Sequence, residues 1–265
     1  MALDRMKDKV AIVTGAAPRG DGLGNGMACA MMFAQEGATV VLVNRKREKA
    51  DALAEKIRAD GGKAHVISCD VTAEDQVDAM VAETMDKFGR LDVLHNNAGI
   101  GGGGPLEKTE MSSWQKVIGL NMTGVMLCCK AAVPAMRAGG RGGSIINISS
   151  IAGAAGLLRD TGGALAYTAT KAGLHGITMS IAADHAKEQI RCNTLVVGSV
   201  YTPMVAHQGE DARARRALAV PLRVEGTAWD VAYAATFLGS DESRWITGIE
   251  LPVDGGLLST REWPS

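Results

Sequence analysis

Short runs rich in Val, Ile and Leu alternate along the chain with longer segments in which apolar residues recur at helical spacing. The runs at residues 10–14, 39–44, 64–69, 91–95, 144–149, 191–197 and 249–253 are predicted strands. Several are apolar at successive positions. A strand covered on both faces requires this, whereas a half-exposed antiparallel strand would alternate. Residues 48–60, 73–88, 113–136 and 165–187 have helical period, and Pro134 is expected to kink the third of these or tighten its last turns. Strand, helix, strand repeated with right-handed crossovers gives an α/β fold. The expected architecture is a doubly wound parallel sheet of about seven strands with helices on both faces. No Pro/Ser-rich tract or charge block divides the chain, so residues 1–265 read as one domain.

Composition narrows the function classes. Apolar residues are 46% and charged residues 22% of the chain, which excludes disorder, collagen and a coiled coil. With 28 basic and 29 acidic residues there is no bulk attraction to nucleic acid or to an anionic membrane. The first nine residues are charged throughout, so no secretory signal is expected, and no run of eighteen apolar residues predicts a membrane span. Five cysteines, an odd number without C-x-x-C spacing, indicate neither a disulfide framework nor zinc, and point to a reducing cytoplasm. The histidines lack metal-ligand spacing, so no metal site is expected. Glycine is the outlier: 33 residues against roughly 19 at the average usage of ~7%, gathered in blocks at 15–26, 99–104, 139–143 and 153–163.

The first block carries the first candidate chemistry. The leading strand ends in Thr14-Gly15, the turn runs to Gly24-Asn25-Gly26, and a helix of small residues follows from Met27 to Glu36. Such a turn aims unpaired N–H groups and the positive end of a helix dipole at one spot, a pyrophosphate site of Rossmann type. Ala28 and Ala30 let that helix lie close to the strand. After the second strand, where an acidic side chain would hold the ribose hydroxyls of NAD, the chain reads Asn44-Arg45-Lys46-Arg47. An uncharged Asn44 followed by three cations removes the carboxylate that would repel a 2′-phosphate and supplies guanidinium groups to clamp one. This favours NADP(H), with NAD(H) as the alternative. A solvated helix start is the ligand-free explanation of the same cations.

Tyr167 and Lys171 are four residues apart in a helical segment, so phenol and ammonium share one face. A phenol with a pKa near ~10 is a poor base at neutral pH, and a neighbouring cation stabilises its phenolate. Alone, the pair is equally explained by a buried Tyr beside an exposed Lys. In order along the chain, however, stand Thr14-Gly15 with Gly24-x-Gly26, Asp70-Val71, Asn96-Asn97-Ala98-Gly99, Asn121, residues 143–150 ending Ser149-Ser150, Tyr167-x-x-x-Lys171 and residues 253–256. With these motifs the chain resembles the short-chain dehydrogenase/reductase family over residues 7–258. The resemblance implies a nicotinamide-dependent oxidoreductase acting on a ketone or secondary alcohol. Tyr167 would be the general acid/base, and Lys171 would lower its pKa and bind the nicotinamide ribose. Ser150, with Ser149 as competitor, would hold the substrate oxygen. Asn121 would interrupt its helix and anchor a relay water. Asp70 beside Val71 would meet the adenine, Ala98 and Gly99 would run against the cofactor, Asn96 would tie the sheet, and Thr202 after Val200 would hold the carboxamide.

Three departures from the family pattern stand out. The first glycine turn is about five residues longer than G-x-x-x-G-x-G when aligned on Gly24 and Gly26; aligning on Gly20 and Gly22 instead would misplace Ala28 and Ala30. The separation of Ser150 from Tyr167 is also long and adds Leu157, Leu158, Arg159 and Asp160 to the rim. Val197-Gly198 replaces a Pro-Gly and is expected to loosen the loop before Val200. Substrate contacts are expected from residues 101–106, 157–163 and 204–224, read as loops, where Met204, Val205 and His207 mix with Arg213, Arg215 and Arg216. A partly apolar alcohol or ketone fits this mixture, and the arginines would suit an anion or simply a solvated lid. The rival is a catalytically silent dinucleotide-binding sensor or scaffold, against which Asn121, Ser150, Tyr167 and Lys171 argue. The small and apolar faces of segments 113–136 and 165–187 suggest a homodimer or homotetramer.

Overall fold

A computed structural model describes residues 3–17, 20, 22–102, 104–156, 163–206 and 208–260. Pro18, Arg19 and Asp21 of the glycine turn, Leu157, Leu158, Arg159 and Asp160 of the rim, and His207 lie outside the described residues. The first half comprises β1 (Val10–Thr14), α1 (Asn25–Gln35), β2 (Thr39–Asn44), α2 (Arg47–Ala59), β3 (Lys63–Ser68), α3 (Glu74–Phe88) and β4 (Val93–Asn96). There follow α4 (Met111–Ile118), a π-helical turn (Gly119–Thr123), α5 (Gly124–Gly139), β5 (Gly143–Ser150), α6 (Ile151–Ala154), α7 (Leu165–His185) and β6 (Ile190–Val197). The chain closes with β7 (Val200–Tyr201), α8 (Pro203–Ala206), α9 (Gly209–Ala219), β8 (Gly226–Thr227), α10 (Ala228–Gly239) and β9 (Glu250–Val253).

Seven strands form one parallel sheet in the order β3-β2-β1-β4-β5-β6-β9, so the order reverses between β1 and β4. In a doubly wound sheet this is where a crevice opens at the carboxyl ends of the strands. Each strand feeds both faces. Ala11 and Val13 join Phe33 of α1, Leu53 of α2 and Leu238 of α10 on one side, while Val10 and Ile12 join Met80 of α3, Cys128 of α5 and Leu174 of α7 on the other. Two buried layers explain the near-continuous apolar runs seen in the sequence.

Several expectations are corrected. The helix expected at 113–136 runs from 111 to 139 and is broken by the π turn, and α5 continues five residues beyond Pro134. The stretch Met111–Gly139 is long and apolar enough to cross a membrane by length and composition alone; half of its most apolar window is buried, as in a core helix. Residues 204–224, read as loop, carry α8 and α9. Helix α10, absent from the predicted set, starts with a capping box in which Thr227 and Asp230 satisfy each other's backbone ends. The Gly198 N–H donates to the Val253 carbonyl at 2.9 Å and so ties the start of the loop before Val200 to β9.

One core residue carries a pH consequence. His95 of β4 is fully buried against the Phe33 ring, 5.8 Å between ring centres, and neither ring nitrogen has a hydrogen-bond partner among the described residues. Burial disfavours the imidazolium and drives its pKa down to about 3 from 6.5. The folded chain thus binds fewer protons than the unfolded one between these values. Stability is full above pH 6.5 and falls as pH drops toward 3, by at most about 1.4 kcal/mol per pH unit. His95→Leu is expected to shrink the loss of Tm between pH 7.5 and 5 by several degrees, and an unchanged loss in differential scanning fluorimetry refutes this.

Candidate active site

The crevice is built from the β1 end outward. Gly15 turns the chain with φ +65°, its N–H donating to the Val43 carbonyl at 2.9 Å. Helix α1 begins at Asn25, so Asn25 and Gly26 lie inside its first turn, with Gly24 as an N-cap that offers no side-chain cap. Among the described residues no side chain caps this helix N-terminus, whose N–H groups suit an anionic ligand. A Cβ at Gly26 would collide with the Asn97 amide and the Gly15 carbonyl. Asn97 braces this turn by donating from Nδ2 to the Thr14 and Gly15 carbonyls, both at 3.1 Å, while Thr14 Oγ1 accepts from the Asn97 and Ala98 N–H groups at 3.0 and 3.1 Å. The Asn25 Oδ1 atom is buried without a partner among the described residues. The packed cradle and open helix end fit a dinucleotide pyrophosphate.

At the end of β2, Asn44 Oδ1 accepts the Lys46 N–H at 2.9 Å, which turns its side chain back into the chain. Arg45 is 69% exposed and contacts Asp70 Oδ2 at 3.3 Å. Burial pulls the Asp70 carboxyl upward, but hydrogen bonds from Thr72 and the Arg45 guanidinium outweigh it and hold the pKa below the usual value. Val71 is buried against Gly124 at the start of α5. The expected adenine and 2′-phosphate residues are therefore brought together at one edge.

The chemistry-bearing side chains gather at the ends of β5 and α7. Ser149 is buried, and its Oγ donates to the Lys171 carbonyl at 2.8 Å, whereas Ser150 is half-buried and caps α6 by accepting the Ala152 N–H at 3.2 Å. Alternation along β5 thus turns one hydroxyl into the core and the other to the crevice. Lys171 Nζ donates to the Ile148 carbonyl at 2.6 Å and lies 5.7 Å from the Tyr167 ring centre. Burial lowers the Lys171 pKa to about 8. Asn121 is fully buried in the π turn: its Oδ1 accepts the Ile100 N–H and its Nδ2 donates to the Ile100 carbonyl, each at 2.8 Å, and Nδ2 also donates to Thr170 Oγ1 of α7 at 3.3 Å. A π turn re-aims one residue out of helical register, often at a functional site. It holds the loop containing Gly99, where a Cβ would stand 3.3 Å from Asn121 Oδ1 and 3.6 Å from Lys171 Nζ.

Two candidates sit differently from the rest. Asn96 points into the core, donating to Asn147 Oδ1 at 2.9 Å, within a buried chain that continues to Thr178 and Thr194. It ties the sheet, as expected, but does not face the crevice. Val200 pairs with Gly226 in β7–β8, and Thr202 opens α8, its carbonyl accepting the Val205 N–H at 3.0 Å. Sequence reasoning missed Asn97 as the brace of the glycine turn, although its place beside Asn96 in the motif was a signal.

Comparison with known proteins gives a consistent picture. A family model described as enoyl-(acyl carrier protein) reductase matches residues 19–258. The chain is 38% identical over 253 residues to a 2,5-dichloro-2,5-cyclohexadiene-1,4-diol dehydrogenase of Sphingobium indicum, covering 96% of this chain and 97% of that one. It is 40% identical over 250 residues to the cis-4-hydroxycyclohexanecarboxylate dehydrogenase of Sinomonas cyclohexanicum, covering 94% and 96%. A crystal structure of a short-chain dehydrogenase/reductase from Burkholderia xenovorans superposes with a TM-score of 0.90 at 38% identity, covering 97% of this chain and 99% of that chain.

Proposed function

The chain belongs to the short-chain dehydrogenase/reductase family, and from that premise we propose that it oxidises a cyclic secondary alcohol, or reduces the matching ketone, with Tyr167 as the proton carrier. The observation that carries this reading is the pairing of Tyr167 and Lys171 on one face of α7, beside a Ser150 hydroxyl turned out of the core. A bound nicotinamide would supply the hydride acceptor for oxidation and the hydride donor for reduction. Ser150 Oγ donates to the substrate oxygen and fixes it. In oxidation Tyr167 takes the hydroxyl proton as the carbonyl forms; in reduction it returns that proton. The Lys171 ammonium favours the phenolate by its charge and is itself held by the Ile148 carbonyl. Asn121 keeps the loop of Gly99 and Ile100 against that ammonium and leaves a water of the relay to the main chain around it.

The cradle of Gly15, Gly24, Asn25 and Gly26 takes the pyrophosphate, Asp70 and Val71 the adenine, Ala98 and Gly99 the adenosine side, and Val200 with Thr202 the carboxamide. An exposed Arg45 at the end of β2, beside a neutral Asn44, supports NADP(H) over NAD(H). Arg45→Asp is expected to lower the ratio of kcat/KM with NADP+ to that with NAD+ by at least about tenfold, the scale of one charge-assisted contact; an unchanged ratio refutes the cofactor assignment. The cyclic substrate class is supported by the diol and hydroxycyclohexanecarboxylate dehydrogenases among the relatives. A screen of cyclic alcohols and ketones read at the nicotinamide absorbance tests the whole reading. Tight dinucleotide binding with no turnover of any of them would support the silent sensor instead.

We further propose a cytoplasmic homodimer or homotetramer built on α5 and α7. Between these helices runs an open groove of about 350 Å³ lined by Met126, Val133, Pro134 and Ile181 among others. Met126 and Met179 are 42% and 48% exposed. Apolar side chains at this density on two adjacent helices favour association.

A further inference from the structure

Helix α9 carries a guanidinium whose partners leave it unfinished. The Arg213 Cζ atom stands 4.1 Å over the centre of the Tyr201 ring, and Tyr201 immediately precedes Thr202. Its Nε is 3.3 Å from Glu225 Oε2, yet that oxygen has no hydrogen-bond partner among the described residues. The contact is therefore ionic without being a directed hydrogen bond. Glu225 spends its other oxygen on Arg216, whose Nε reaches Oε1 at 2.5 Å while Nη1 donates to Gln208 Oε1 at 2.6 Å. Two guanidinium groups thus share one carboxylate, and the cluster keeps one net positive charge.

The two arginines have different work. Arg216, with a side chain 21% exposed, ties α9 to the buried Glu225. Arg213 is 45% exposed. Stacking on Tyr201 fixes the plane of its guanidinium and leaves the edge with its N–H groups free to be directed. A stacked guanidinium with an unspent edge is preorganised for the two oxygens of a carboxylate.

Its location matters as much as its chemistry. Ser150 and Val197 are register partners across β5 and β6. Tyr201 follows Val197 by four residues, which limits its distance from that partner to about 14 Å of extended chain. Arg213 therefore stands over the segment that leaves the same carboxyl end of the sheet as Ser150, and Pro203, two residues beyond Tyr201, lies beside the glycine turn, 3.6 Å from where a Cβ at Gly22 would stand.

We propose that Arg213 is a specificity-determining residue that binds a carboxylate, and that the preferred substrates are cyclic hydroxy acids bearing the carboxylate away from the carbinol. This rests on the redox reading above and adds to it the charge of the substrate. The guanidinium edge pairs with the carboxylate while Ser150 and Tyr167 take the hydroxyl at the other end of the ring.

The test compares 4-hydroxycyclohexanecarboxylate with its uncharged carboxamide on the wild type, Arg213→Gln and Arg213→Lys, each checked for an unchanged Tm. The wild type is expected to prefer the carboxylate by at least about tenfold in kcat/KM, and Arg213→Gln to raise KM for the carboxylate by about ten- to a hundredfold, the range of a charge-assisted bond. The loss on the carboxamide should be at least about tenfold smaller, and Arg213→Lys should recover part of the loss on the carboxylate. Equal use of both compounds by the wild type, or an equal loss on both in Arg213→Gln, overturns the assignment while leaving the redox reading intact. Calorimetric binding of the carboxylate to the enzyme–dinucleotide complex is measured in parallel. Arg213-dependent binding without turnover of this compound or of any cyclic alcohol or ketone in the screen supports this site and removes the redox reading; no binding removes this site.

Discussion

Tyr167→Phe is expected to cut turnover by about 10²- to 10⁴-fold, the usual range for removal of a positioned general acid or base, while dinucleotide affinity changes little. The substitution keeps the ring and deletes one oxygen. It leaves Lys171 where the Ile148 carbonyl holds it at 2.6 Å, and leaves the Ser149 bond to the Lys171 carbonyl untouched. The frame of the site should therefore survive, and the loss should fall on kcat rather than on folding. Steady-state rates at the nicotinamide absorbance, with affinity measured separately by fluorescence titration, make the distinction. Turnover within tenfold of the wild type would mean that some other group moves the proton.

Gly26→Ala and Gly24→Ala should both weaken dinucleotide binding, but for different reasons that a melting curve separates. At Gly26 the new methyl group meets the Asn97 amide and the Gly15 carbonyl, so the brace of the glycine turn must give way before any ligand arrives. Overpacking of this kind costs roughly 1–3 kcal/mol, so Tm falls together with an affinity loss of at least about tenfold. At Gly24 no atom of the described residues lies within 4 Å of an added Cβ. Its Tm should hold, and affinity should fall only because the methyl group stands where the pyrophosphate must approach the backbone. If Gly24→Ala binds the dinucleotide as the wild type does, the turn has been misassigned.

The parallel core was legible because burial on both faces writes itself into consecutive apolar residues; β1 and β2 match the expected bounds at both ends. β4 starts two residues late because Asp92 turns its carboxylate to the Val10 N–H at 2.7 Å and to Arg90 instead of extending the run. Helix α9 was missed because it has no apolar stripe: none of its residues is buried, and its sequence looks like a solvated loop. The motifs point to Tyr167 and to Ser150 ahead of Ser149, and the strand's facing adds a physical ground that no spacing holds, since the Ser149 hydroxyl is spent on the Lys171 carbonyl. Asn97 and Glu225 act through partners more than eighty and about ten residues away, and no local spacing encodes such pairings.

The two bonds that stitch β5 to α7, Lys171 Nζ to the Ile148 carbonyl and Ser149 Oγ to the Lys171 carbonyl, make proton donor, ammonium and strand end move as a single body. Residues 203–224 join that body through β7, β8, the Glu225 cluster and the buried Val220, with the Leu222 N–H donating to the Gly255 carbonyl at 3.3 Å. The chain is thus divided into a buried engine and an exposed hood. Grafting another sequence onto the hood could retune which molecules are admitted without touching the machinery that oxidises them, a division of labour that would let new metabolic roles arise by few substitutions.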